Sequence, residues 1–514
     1  MDRQASRRRW NIVTAFFRCG VAVCLALFSV PLASCGTSGE FTPDALQAEV
    51  REPAARAFYE ARDWQAAWDR AAQKTLLQAL RQAPAHGLRQ DMFLEEPLPK
   101  DRAEREAALT GAAIDYASAL ARGYADPAKV GKIYTLPRPK PDIAAALARA
   151  VEQGQLEAWL ESLAPATEEY RALSRAYLHY LAIAAENRVL PPPIAPGKAL
   201  KPGGRDARLP AIVAALEANG YLPRADDQRP PPPTYSGAVV DAVKRMQGDY
   251  GLKVDGVIGI DTVNALNTGP GDRARQLAVA LERLRWLDRD PPPTRIDVNT
   301  GAAFLDYWRD GRHSDRRNVV VGEPGWETPQ LASPIFQLVA NPMWRVPDSI
   351  YEDELEAKGP GYFAEQHMEW RNGRLVQLPG PKNALGKVKL DMHNKHAIYL
   401  HDTPAKALFG QPERHRSHGC VRVEDAIGFA LMLAVHDGVQ AKFQEALVSA
   451  DETFVKLKTQ IPVRLLYHTA FFDGGRVQLR PDIYGWDDDV ARALGLGRVK
   501  ARPVHKHQPG DVGP

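Results

Sequence analysis

The sequence predicts a multidomain α+β protein: a helical N-terminal scaffold, a small three-helix unit, and a mainly-β C-terminal domain with an inserted helical segment. Three observations carry the prediction. Apolar residues recur at helical spacing from Phe41 to about Ala185, proline runs break the chain near residues 190–204 and 291–293, and beyond the second break the period shortens to that of strands. With 25 % charged and 45 % hydrophobic residues over 514 positions, the composition is that of an ordinary globular chain of about three domains.

The first 34 residues stand apart. Arg3, Arg7, Arg8 and Arg9 form a basic head, an apolar run follows from Cys19 to Ala33, and small residues close it, the layout of a secretory signal. The apolar run is too short to span a bilayer comfortably. Its end, Leu32-Ala33-Ser34-Cys35, resembles the lipobox of bacterial lipoproteins, which implies that Cys35 is lipidated and that the protein is tethered to a membrane. An ordinary cleaved signal ending near the same place would share this layout. The segment holds five arginines against one aspartate, so the whole-chain charge of +3 becomes about −1 without it. No basic surplus remains to suggest a nucleic-acid partner.

Residues 41–190 read as the scaffold. Val50, Ala54, Ala57, Phe58 and Ala61, then Leu76, Leu77 and Leu80, then Leu173, Ala176, Tyr177, Tyr180 and Leu181 mark successive helices. Tyr59, Trp64, Trp68 and Tyr116 at this spacing are expected in the core rather than on a sugar-binding stripe. The run from Leu190 through Pro202-Gly203-Gly204 is expected to be a linker.

Residues 206–268 form the small unit, with helices expected around 212–219, over 237–250 and from Asp261. Asp255-Gly256 makes a tight turn, and Asp261 or Thr262 caps the last helix. With Val243-Lys244-Arg245-Met246-Gln247 ahead of it, this motif resembles the three-helix peptidoglycan-binding domain of cell-wall enzymes. The loop 224–236 departs from that pattern by its length and its prolines.

An amphipathic helix is expected at 277–287 and a β domain at 294–484. Strands are expected at 296–298 and 303–307, paired as a hairpin, and at 318–322, 335–340, 387–392, 397–400, 463–472 and 476–480. The stretch 344–381 turns helical and loop-like, with Gly359, Gly361, Gly373 and Gly380 as hinges, and reads as an inserted lid. The tail 502–514 is polar and expected to be disordered.

The chemistry concentrates at Ser417-His418-Gly419-Cys420-Val421-Arg422, nineteen positions after a histidine in Tyr399-Leu400-His401-Asp402-Thr403. Of the four cysteines, Cys19, Cys24 and Cys35 fall in the leader, so Cys420 has no disulfide partner in the rest of an exported chain. A thiol needs a base to become a nucleophile at neutral pH, and His401, at the end of a strand-like run, supplies one. Gly419 permits an unusual backbone angle. Backbone N–H groups around Gly419 and Cys420, ahead of a helix expected from Glu424, are candidates for an oxyanion site. Asp402 is the nearest orienting group for His401, by side chain or by carbonyl. A metal reading of His393, His396, His401, His415, His418 and Cys420 is disfavoured by the lack of a second cysteine and of paired ligand spacing. No cofactor is called for.

The whole pattern resembles the YkuD-type L,D-transpeptidase catalytic domain, and the domain order resembles the large L,D-transpeptidases of Gram-negative bacteria. The resemblance implies Cys420 as nucleophile, His401 as base and acid, and Ser417, His418, Gly419 and Arg422 as the rest of the signature. Asp402 replaces the glycine often found after the motif histidine. Implied with it are peptidoglycan stem peptides and glycan as partners, 3→3 cross-linking as the reaction, a periplasmic location and trapping by carbapenem-like β-lactams. An L,D-carboxypeptidase, an enzyme attaching protein to the wall, a peptidase that only cleaves, and a lipoprotein anchor with a spent site are the alternatives.

Overall fold

The computed structural model describes residues 42–131, 133–186, 191–224 and 233–497. The signal segment, Cys35, the tail 502–514 and part of the proline-rich loop lie outside these residues. Helices α1 (Pro43–Glu49), α2 (Pro53–Glu60), α3 (Arg70–Arg81), α4 (Arg102–Arg122), α5 (Pro127–Val130), α6 (Ile143–Glu152), α7 (Leu156–Leu163) and α8 (Glu168–Glu186) build the N-terminal region. Tyr59, Trp68 and Tyr116 are buried there, as expected. The buried Glu106 carboxylate accepts from the Tyr59 hydroxyl and from Ala67 N and Trp68 N, and Trp68 Nε1 donates to Thr110 Oγ1 at 2.8 Å.

Helices α9 (Leu209–Ala218), α10 (Ala238–Asp249) and α11 (Ile260–Leu266) form the small unit close to the expected positions. The preceding proline-rich segment is bound to it rather than free. Leu200 and Ile258 exchange backbone hydrogen bonds at 2.9 and 3.1 Å, and the Asn267 side chain bonds both backbone groups of Ile194.

Helix α12 (Pro270–Trp286) corrects a second expectation. It is buried on nearly every side instead of amphipathic, and it belongs to both helical cores. An amphipathic helix would turn its arginines to solvent. They are instead paired: Arg285 with Glu282 at 2.5 Å, Arg283 with Asp487, Arg275 with Asp488 at 2.6 Å, and Arg273 against the rings of Tyr180, Tyr221 and Tyr250.

The C-terminal domain begins with β1 (Arg295–Asn299), β2 (Phe304–Arg309), β3 (Arg312–Gly322) and β4 (Ile335–Ala340). The insertion follows as β5 (Trp344–Arg345), α13 (Asp348–Ile350), α14 (Gly359–Glu365), β6 (Met368–Arg371) and β7 (Arg374–Gln377). Then come β8 (Val388–Met392), β9 (Leu400–His401), β10 (His415–Ser417), β11 (Val421–Val423), α15 (Ala426–Asp437), α16 (Gln440–Val448), β12 (Thr453–Ile461), β13 (Val463–Leu466), β14 (Ala470–Asp473), β15 (Arg476–Leu479) and α17 (Trp486–Ala493). The main sheet runs β12-β4-β8-β9-β11-β3-β2-β1-β13, with β10 beside β3.

The insertion is not helical alone. It holds a three-stranded sheet, β5-β7-β6, and its own core around Trp344, Leu355, Phe363 and Leu375. The expected strand 463–472 is two strands, because Tyr467, His468 and Thr469 turn the chain out of the main sheet. The β14–β15 hairpin then packs its Ala470 and Leu479 into the core of α8, α12 and the small unit.

Candidate active site

Register decides what meets what. β11 pairs in parallel with β9, Val421 opposite Leu400 and Arg422 opposite His401, and β8 sets Lys389 opposite His401 and Leu390 opposite Leu400. Side chains alternate between faces. Leu390, Leu400, Val421 and Val423 therefore face the core with Phe429, Ala430 and Leu433 of α15. Lys389, Tyr399, His401, Cys420 and Arg422 share the opposite face. Cys420, directly before β11, and His401 are therefore diagonal neighbours on this face, two residues apart in register.

His401 is fully buried, and its Nδ1 lies 2.5 Å from the Asp402 carbonyl oxygen. A carbonyl can only accept, so Nδ1 carries the proton and Nε2 is the basic nitrogen. Of the two options open for Asp402, the carbonyl is the one engaged. Its carboxylate faces elsewhere, accepting from Lys387 N at 2.9 Å and pairing with Lys406 Nζ.

The turn before Cys420 is held by Ser417 from within and by Thr328 from outside. Ser417 Oγ donates to Cys420 O at 2.6 Å and accepts from Gly419 N at 3.2 Å, while Thr328 Oγ1 donates to Gly419 O at 2.8 Å and accepts from Gly322 N at 2.9 Å. Gly419 adopts φ +108°, the left-handed region a side chain resists. A Cβ on Gly322 would come within 2.0 Å of Trp326 O, so the 326–328 turn that supports Gly419 needs glycine there. The expected helix at Glu424 starts later: β11 intervenes, and α15 begins at Ala426, capped by the Asp425 side chain. Its N-terminus is therefore not beside Cys420.

Cys420 is 5 % exposed, and its Sγ lies 3.6 Å from Ala397 O. Burial pushes the thiol up to about 11. Hydrogen bonds from Tyr399 and the charges of Lys389 and Arg422 act in the opposite direction. Lys389 Nζ lies 4.3 Å from the centre of the Tyr399 ring and 2.6 Å from Asp391 Oδ1. Arg422 is buried at 1 % exposure. His418 turns away from the sheet, its ring edge-on to Trp326 and its Nε2 2.6 Å from Glu354 Oε1 in the insertion.

The other histidines of the run disperse: His393 stacks on Phe336 and His415 pairs with Glu413. Among the described residues no group of three or more His, Cys, Asp or Glu side chains is placed to hold a metal ion.

Sequence reasoning assigned no role to Tyr399, Lys389, Thr328 or Glu354. Strand alternation would have put Tyr399 on the face of His401, two residues on. Glu354, 64 residues before His418, carries no local signal.

Comparison with known proteins fits this architecture. Residues 293–441 match the L,D-transpeptidase catalytic domain family (YkuD), residues 53–177 match a family described as "Scaffold domain", and residues 205–266 match "Putative peptidoglycan binding domain". The chain thus carries a YkuD L,D-transpeptidase catalytic domain behind a scaffold domain and a peptidoglycan-binding domain. A Haemophilus influenzae protein named "Putative L,D-transpeptidase" is 32 % identical over 258 residues, 45 % of this chain and 51 % of that one, so the chain spans about half the length of this curated relative.

Solved L,D-transpeptidase structures also align. One from Xylanimonas cellulosilytica is 16 % identical, covers 53 % of this chain and 98 % of its own, and has a TM-score of 0.17. One from Stackebrandtia nassauensis is 14 % identical, covers 55 % and 99 %, and has a TM-score of 0.22. These scores are too low to bear on the fold.

Proposed function

We propose that this protein is a cysteine-dependent L,D-transpeptidase of peptidoglycan. The observation that carries the reading is the placement of Cys420 and His401 on one face of adjacent strands, with the Nδ1 proton of His401 engaged by a carbonyl. His401 Nε2 takes the proton from Cys420 Sγ, and the thiolate attacks the carbonyl carbon of the third residue of a donor tetrapeptide stem. Gly419 N–H is engaged by Ser417, so the oxyanion is assigned to Cys420 N–H and the Tyr399 hydroxyl. Collapse breaks the peptide bond, His401 protonates the departing D-alanine amine, and a thioester remains. An amine from a second stem then attacks the thioester and loses its proton to His401. The 3→3 bond forms, and the thiol leaves with the proton.

The burial of Cys420 supports transfer over hydrolysis, because a thioester on a buried sulfur is poorly reached by water before the amine arrives. The small unit 206–268 would hold the wall polymer near the site. Export, cleavage after residue 34, lipidation of Cys35 and anchoring to the outer membrane from the periplasmic side complete the proposal. Among the described residues no helix is long and apolar enough to cross a membrane.

Incubation with a carbapenem tests the covalent step. A mass increase on the Cys420 peptide equal to the intact drug is expected, and an unmodified Cys420 would count against the mechanism.

A further inference from the structure

A charged contact joins the insertion to the turn before Cys420. Glu354 lies on Tyr351–Leu355, a single wide π-turn. Such turns are frequent at functional sites. Its carboxylate meets His418 Nε2 at 2.6 Å, two residues before Cys420, and the His418 side chain is only 3 % exposed.

The turn does not need this contact for its shape, since Ser417 and Thr328 already fix it from within the catalytic domain. Nor does the base of the insertion depend on it. There, Asn383 Nδ2 donates to Pro342 O and Gln377 O, and Arg345 pairs with Glu452 at 2.8 Å. The insertion also meets the thiol through Tyr399, whose hydroxyl reaches Cys420 and which packs against the insertion's core, and Cys420 lies almost wholly covered.

A substrate must lift this cover, and lifting it parts Glu354 from His418. Water then serves the imidazole, until a bound peptide buries it again and must supply an acceptor of its own. Stem peptides carry carboxylates. We propose that Glu354 is an internal stand-in for a substrate carboxylate: it occupies a carboxylate seat on His418, keeps the lid shut, and is exchanged for an anionic group of the donor when substrate enters. The proposal rests on the acyl-transfer reading for the identity of that donor.

Two alkylating agents of nearly equal size, neutral iodoacetamide and anionic iodoacetate, separate its two parts. The full chain is labelled without substrate, and label on the Cys420 peptide is followed by mass spectrometry. Glu354→Ala is expected to raise the iodoacetamide rate by about tenfold or more, the effect of one charge-assisted hydrogen bond. The iodoacetate rate is expected to rise further still, and that extra gain is expected to vanish in Glu354→Ala/His418→Gln. Glu354→Gln, which keeps the shape of the side chain, is expected to fall between wild type and Glu354→Ala.

An unchanged iodoacetamide rate in both Glu354 variants would overturn the latch. Equal gains for the two reagents, or an extra gain that persists without His418, would overturn the carboxylate seat. Labelling needs no turnover, so a protein that passes these tests but forms no peptide product would lose the reaction and keep the seat.

Discussion

Cys420 is held protonated by its burial, and this has a measurable consequence. With the thiol pushed up to about 11, the thiolate fraction at any pH below that is smaller than for an ordinary cysteine. Alkylation of the substrate-free protein by iodoacetamide is therefore predicted to rise about tenfold per pH unit from 8 to 10, with no plateau below about pH 11. A plateau near pH 8 would contradict the buried environment. Tyr399→Phe removes a hydrogen bond that favours the thiolate and a proposed oxyanion donor. It is predicted to push the thiol still higher and to slow acyl transfer by about 10²-fold, measured as the rate of thioester formation. Gly419→Ala forces a side chain into φ +108° and is predicted to cost about 1–3 kcal/mol of strain at the nucleophile turn, read as a fall in labelling and turnover with little change in peptidoglycan binding.

At the scale of elements, α12 ties the helical region to the catalytic domain. Arg283 and Asp487 of α17 are both almost fully buried, and Asp487 also accepts from Thr469 Oγ1 at 2.7 Å. Asp487→Asn would leave the guanidinium without its counter-charge, and a loss of about 3–5 kcal/mol is predicted, measured by denaturant unfolding. A change below about 1 kcal/mol would mean that the pair is dispensable. This pair also shows where the sequence stops being legible. The three helices of the small unit, β4 and the β1–β2 hairpin could be read because period and turn residues are local signals. The pairing of Arg275 and Arg283 of α12 could not, because their partners Asp488 and Asp487 lie some two hundred residues away and nothing local distinguishes a paired arginine from a solvated one. The insertion's small sheet was hidden for a related reason: β5 has two residues, too few to show a period. Residue type and spacing were enough to propose Cys420 and His401 as a pair, whereas Tyr399 needed register and Glu354 needed tertiary structure.

At the scale of the molecule, the catalytic domain is joined to its neighbours by packing as well as by the chain. Val490, Ala491 and Leu494, in and just after α17, enter the scaffold core, and Thr135 N donates to Gln330 O across the two regions. The small unit shares a core with α8, α12 and the β14–β15 hairpin, so it is packed into one body with the helical region and the end of the C-terminal domain. Acid is predicted to loosen that body. Desolvation pushes the part-buried His86 down to about 4 and the buried His468 down to about 3. The unfolded chain takes up these protons as pH falls below the ordinary histidine range while the folded chain does not, so stability should drop between about pH 6.5 and 3. Melting curves of His468→Gln are predicted to show a shallower decline over that window than wild type.

The central claim is that Cys420 makes an acyl-enzyme from one stem and passes it to the amine of another. The most direct measurement is to incubate the full chain with purified disaccharide-tetrapeptide and follow products by liquid chromatography and mass spectrometry, with Cys420→Ala as control. Dimers lacking one D-alanine, absent from the control, are the predicted result. Tripeptide without dimer would make the protein a carboxypeptidase, and substrate left unchanged by the wild-type protein would contradict the account.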